Sequence, residues 1–99
     1  MRIEFEDDEL RRLAYESAFH TKRWSSDVTK AYRRVVNLII NAASDQDLRN
    51  LRGLRLEQLK GNRAGTSSVR INDQYRLILR FFTDQDGRVA IVIEAVDYH

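Results

Sequence analysis

The apolar residues of this chain change their spacing at Gly53, and that change limits the folds open to it. From Leu10 to the glycine they recur every three or four positions, as on one face of a helix; beyond it they alternate with polar residues, as on one face of a strand. Helices and strands are therefore segregated along the chain. Segregation of this kind predicts an α+β class, with two N-terminal helices packed on one face of a twisted, mainly antiparallel sheet whose other face is concave and wet.

Met1 to Phe5 alternates and reads as a short first strand. Asp7 or Asp8 can cap a first helix on Leu10, Leu13, Ala14 and Ala18 that runs to about Ser17. His20 to Trp24 reads as a connection. Ser25, Ser26 and Asp27 offer N-cap oxygens to a second helix with Val28, Ala31, Tyr32, Val35, Val36, Ile39 and Ala43 on its apolar stripe. Ser44 to Gly53 predicts one more short helical turn that stops at the glycine. Leu54 to Leu59, Ser67 to Asn72, Tyr75 to Phe82 and Val89 to Tyr98 are strand-like, and the turns between them predict an antiparallel meander.

At 99 residues the chain is expected to be a single domain spanning 1–99. No apolar run is long enough to cross a bilayer, and the acidic start does not resemble a signal peptide, so no membrane association is expected. With no cysteine to form a disulfide or a thiolate site, the cytoplasm is the expected compartment. The net charge of +2 hides an asymmetry. Residues 1–16 hold three basic and six acidic groups, whereas residues 49–80 hold eight basic and two acidic. Seven of those eight are arginines, whose planar fork matches phosphate, so the stretch predicts a polyanion partner; a solvated surface of scattered ion pairs is the competing reading.

Pairing Thr83 with Arg88 places Tyr75 opposite Val96, and the Asn72-Asp73-Gln74 turn beside Asp97, Tyr98 and His99. Alternation along 75–81 assigns Arg76 and Arg80 to the open face with Arg70 and Asn72, and Tyr75, Leu77, Leu79 and Phe81 to the core. Lys60 falls near the far end of its hairpin. Asp97 and His99, two apart, are suited to proton transfer, and the arginines to stabilising charge on a phosphate. A frayed terminus is the alternative. His20 reads as a surface histidine. No Walker loop, GxGxxG, HExxH, EF-hand or cysteine-histidine spacing occurs. No base stands near Thr66, Ser67 or Ser68 in sequence to support a hydrolase triad.

The run from Arg55 through Leu59-Lys60-Gly61-Asn62-Arg63 to Gly65, then Ser68-Val69-Arg70-Ile71-Asn72-Asp73-Gln74-Tyr75-Arg76 and the ending Val96-Asp97-Tyr98-His99, resembles the HigB branch of the RelE toxin superfamily. The resemblance is most specific over 55–99. It implies a toxin of a type II toxin-antitoxin pair, an endoribonuclease that cuts messenger RNA in the ribosomal A site and is silenced by a HigA-like helix-turn-helix antitoxin. It carries Lys60, Arg76, Asp97, Tyr98 and His99 onto catalytic positions, and Arg63, Arg70 and Asn72 onto RNA-binding ones. No metal or other cofactor is implied, because the 2'-hydroxyl of the RNA is itself the nucleophile. In that mechanism His99, oriented by Asp97, moves the proton, Lys60 and Arg76 stabilise the charged phosphorus, and Tyr98 stacks on a base or aligns the bond. Two other readings stay open: a non-catalytic RNA- or ribosome-binding module, and a structural partner whose basic face docks an acidic protein.

Overall fold

Each helix begins where the sequence supplies an oxygen for its first free N–H groups. Helix α1 (Asp8–Tyr15) follows Asp7, whose carboxylate accepts from the Leu10 N–H at 2.9 Å. Helix α2 (Ser26–Asn41) follows Ser25, whose hydroxyl accepts from Val28 N at 3.3 Å, and α3 (Asp45–Asn50) follows Ser44, which accepts from Asp47 N at 3.4 Å. The computed structural model describes residues 1–98, so the role expected of His99 concerns a residue outside the described ones. Helix α1 stops before the expected Ser17 because Arg33, reaching across from α2, donates to the carbonyls of Leu13 at 2.7 Å and Glu16 at 3.1 Å. Those bonds satisfy carbonyls left orphaned at the helix end and put a cation at its negative pole.

The sheet contains β1 (Arg2–Phe5), β2 (Glu57–Gln58), β3 (Ser67–Arg70), β4 (Tyr75–Asp84) and β5 (Gly87–Asp97), in the order β1-β5-β4-β3-β2. β1 runs parallel to β5 and every other pairing is antiparallel. The α+β class and the mainly antiparallel sheet are as expected, with α3 as the additional short helix. β2 is shorter than the strand expected over 54–59. Arg52–Leu54 closes a 3-10 turn instead, and Arg55 takes a left-handed conformation at φ 49°, which ends extended pairing there.

The helix-side core joins Leu10 and Leu13 of α1, Tyr32, Val35, Val36 and Ile39 of α2 and Leu48 of α3 to Val69, Leu77, Leu79, Ala90 and Val92 of the sheet. Burying each large aliphatic side chain is worth about 1.5–3 kcal/mol, so this layer holds the helices against the sheet. Trp24 lies in that core and not merely in a connection, its ring 5.4 Å from that of Tyr32 and 5.7 Å from that of Tyr75. Ala42 is buried and Ala43 exposed, since α2 ends at Asn41 and its helical period does not extend to Ala43.

Asp45 ties α3 to β5, accepting from Arg88 Nε at 2.9 Å and Nη2 at 2.6 Å. The hydrogen bonds from Arg88 hold the Asp45 carboxyl below its usual range, against the opposing effect of burial. A depressed carboxyl stabilises the fold above its unfolded pKa, and the contribution is lost as pH falls through the folded value. Asp45→Asn should therefore lower stability by about 1 kcal/mol or less at pH 7, with a smaller deficit at about pH 3, where the unfolded carboxyl is already mostly protonated. Urea denaturation of both proteins at the two pH values checks this, and a gap unchanged by pH would assign the loss to something other than the ion pair.

Candidate active site

Pairing at the hairpin end of β4 and β5 is as expected, with Thr83 opposite Arg88, but the register slips by one between Ile78 and Leu79. Ile78 pairs with Glu94 and Leu79 with Val92, so Ile93 is the extra residue of a β-bulge. Tyr75 consequently lies opposite Asp97 and not Val96. Directly opposed residues share a face. Asp97 therefore falls on the helix side with Tyr75, whereas Arg76 and Val96 fall on the other face, joined by Tyr98.

Arg76 departs from the expectation of an open-face arginine: it is 7% exposed. Its Nε donates to the Ser68 hydroxyl at 3.0 Å, and its Nη2 donates to the carbonyls of Arg55 at 2.5 Å and Ser68 at 3.3 Å. All of these acceptors are neutral. Among the described residues no carboxylate forms an ion pair with Arg76. A guanidinium that is bonded into place and paired with no described carboxylate keeps its attraction for an incoming anion, in surroundings drier than bulk water where that attraction is stronger.

Above Arg76 is a shallow cleft of about 150 Å³ lined by Arg55, Arg70, Asn72, Asp73, Arg76 and Tyr98. Arg70 pairs across the β3–β4 ladder with Arg76 and makes an ion pair with Asp73. The Asn72 side-chain oxygen accepts from the N–H groups of Gln74 at 2.9 Å and Tyr75 at 2.8 Å, which makes it a turn-former at the cleft edge. The Tyr98 ring centroid lies 5.5 Å from the Arg76 guanidinium carbon, within cation–π range. The expectation that the 72–74 turn adjoins the C-terminal residues holds: Tyr98 N donates to Gln74 O at 2.6 Å, and the Gln74 amide donates to Asp97 Oδ2 at 3.1 Å.

Of the remaining expected residues, Arg63 sits on a 3-10 turn (Gly61–Arg63) and is bonded to Glu94 at 2.8 Å. Lys60, exposed at the start of that turn, does not line the cleft. Asp97 does not line it either, because the bulge at Ile93 sets it on the opposite face. Sequence reasoning missed two participants. Arg55 enters the cleft only through its left-handed backbone, which no neighbouring glycine at that position signals. Ser68, buried as the acceptor for Arg76, was legible in principle, since alternation puts it on the face of Arg70. No cluster of three His, Cys, Asp or Glu that could hold a metal ion occurs among the described residues. No helix among them is long and apolar enough to cross a membrane.

A family of toxins described as "RelE-like toxin of type II toxin-antitoxin system HigB" matches residues 3–99, so almost the whole chain, cleft included, fits one family pattern. The chain belongs to the HigB-like toxins. It is 36% identical over 81 residues to "Toxin HigB-1" of Vibrio cholerae, an alignment covering 82% of this chain and 84% of that protein. The fold is shared more widely. The "YoeB/ParE toxin from Agrobacterium tumefaciens" superposes with a TM-score of 0.60 over all of both chains at 19% identity. YafQ of E. coli does so with a TM-score of 0.61 over 98% of this chain and 93% of that one, at 16% identity. The Staphylococcus aureus YoeB-YefM complex gives a TM-score of 0.56 at 23% identity, over 100% of this chain and 97% of that one. This HigB-like toxin thus has the RelE-type α+β architecture, with its cationic cleft at the end of the sheet where β3, β4 and β5 meet.

Proposed function

We propose that this HigB-like toxin is a ribosome-dependent endoribonuclease that cuts messenger RNA by attack of a 2'-hydroxyl on the adjacent phosphate. The observation that carries the reading is Arg76: a buried guanidinium held by neutral oxygens at the base of a cleft that also holds Arg55, Arg70 and Tyr98. The scissile phosphate would lie against Arg76, with Arg55 and Arg70 on its flanking oxygens once Arg70 exchanges Asp73 for RNA. In the step itself the 2'-oxygen forms a bond to phosphorus as its proton is taken up, and the bond to the 5'-oxygen breaks as that oxygen is protonated. The products are a 2',3'-cyclic phosphate and a free 5'-hydroxyl. The nucleophile is part of the substrate, so this chemistry requires no metal-activated water.

His99 is proposed as the proton-transfer group, oriented by Asp97, with Lys60 and Arg76 stabilising the charge on phosphorus and Tyr98 aligning the RNA. Asp97 sits one face away from the cleft, so its part is to fix the end of β5 through Gln74 rather than to touch phosphate. Arg63 and Asn72 would contact RNA at the rim. The proposed partners are the ribosome with its message and a HigA-like helix-turn-helix antitoxin, with the cytoplasm as the compartment. Since the cleft is shallow and mostly positive, affinity should come from phosphate contacts that many RNAs offer, leaving the ribosome to present one site. Message bound in programmed ribosomes should accordingly be cut while the same RNA free in solution stays intact. Equal rates on the two substrates would replace this reading with that of a general ribonuclease.

A further inference from the structure

The mouth of the phosphate cleft carries an acid among its arginines. Of the described residues that line it, Arg55, Arg70 and Arg76 are cationic and Asp73 alone is anionic. Asp73 forms an ion pair with Arg70, and its side chain is 97% exposed. The turn does not need that pair. It is closed by the Asn72 side-chain oxygen, which accepts from Gln74 N and Tyr75 N, and by the bond from Ile71 N to Tyr75 O at 2.9 Å. Asn72 and Gln74, the neighbours of Asp73 on either side, are both hydrogen-bonded, so the turn itself keeps a carboxylate at the entrance of a site built for phosphate. An ion pair this open to water adds little to stability. Its consequence lies instead in what Arg70 is free to bind.

We propose that Asp73 is a selectivity residue: its carboxylate competes with RNA phosphate for Arg70 and weakens the hold of the cleft on RNA that the ribosome does not present. The inference rests on the RNA-cleaving reading above and adds to it a physical reason for ribosome dependence. Two effects act together. A phosphate reaching Arg70 must displace the carboxylate, and it then lies beside the negative charge it has displaced. A strand free in solution is held by the cleft alone and meets the whole penalty. A message on the ribosome meets a toxin already bound there through other contacts, at an effective concentration that a modest loss of local affinity does not overcome.

The test measures binding of the full-length protein to a short single-stranded RNA made resistant to cleavage by 2'-O-methyl groups, over a range of salt. Asp73→Asn, which keeps the size of the side chain and removes its charge, should bind about three- to tenfold more tightly at low salt. Its affinity should also fall more steeply with salt, by about 0.7 in the logarithmic slope, as one further phosphate contact on a single strand implies. Asp73→Glu, which keeps the charge, should show no such gain. In an Arg70→Gln background the gain from Asp73→Asn should shrink to about twofold or less, since the carboxylate then has no arginine to withhold. With unmodified RNA, the ratio of cleavage free in solution to cleavage on programmed ribosomes should rise in Asp73→Asn. Wild-type affinity in Asp73→Asn, a gain undiminished without Arg70, or an unchanged ratio would overturn the assignment. The ribosomal rates separate the two proposals. A protein that cuts on ribosomes but whose RNA affinity ignores Asp73 loses the selectivity role alone, and one that neither binds the oligomer nor cuts loses both.

Discussion

Replacing Arg76 with alanine should lower the rate of message cleavage by about a hundredfold or more, the usual consequence of removing one preorganised donor from a developing oxyanion. The substitution will also cost stability, because Arg76 is buried and bonded rather than lying loose on an open face. Truncation leaves the Ser68 hydroxyl and the Arg55 carbonyl short of a donor, a loss of about 1–3 kcal/mol. The two effects separate experimentally. Rates measured well below the melting temperature report on the folded fraction, and the barrier effect should exceed anything unfolding explains. A folded Arg76→Ala protein that cuts at the normal rate would remove this residue from the site.

Deleting Tyr98 and His99 should have the second large effect, and on activity alone. β5 ends at Asp97, and among the described residues the deletion removes the hydrogen bond from Tyr98 N to Gln74 O and the exposed Tyr98 ring with its contact to Arg76. The melting temperature should move little, since the buried residues Val89, Ala90 and Val92 and their partners on β4 are untouched. Arg55, Arg70 and Arg76 also survive, so binding to the ribosome should persist. Cleavage should nevertheless collapse, because the proposed proton-transfer group is gone along with the aromatic ring that lines the cleft beside Arg76. A truncated chain that folds, binds and cuts at the original rate would return the C-terminus to the frayed-end reading.

What the sequence made legible was the part of the fold governed by local rules. The α2 stripe, the caps at Asp7, Ser25 and Ser44, and the hairpin closed by Gly87 all follow from spacing and turn chemistry. Less legible were features set by tertiary contacts. The bulge at Ile93 leaves no mark in an apolar run, yet it shifts Asp97 to the face opposite Arg76. Alternation correctly separated Arg76 from Leu77 and Leu79, but alternation reports a face and not what covers it. The turn at 52–54 and the left-handed Arg55 bring a carbonyl onto Arg76 and bury it. The open face was likewise expected to be wet. Ile78 and Val89 are buried on it, alongside ion pairs that join Arg2 to Asp84, Arg80 to Glu6 and Arg63 to Glu94. Such pairs link residues as far apart in sequence as 2 and 84, and no local pattern announces them.

The central claim is that the RNA supplies its own nucleophile in this cleft, and a single atom tests it. A message carrying one 2'-deoxy nucleotide at the cut position, loaded in the A site of programmed ribosomes, should resist the wild-type protein. The all-ribose message should be cut there to leave a 2',3'-cyclic phosphate. Cleavage of the deoxy message at the all-ribose rate would contradict the account, since a nucleophile other than the 2'-hydroxyl would then be at work.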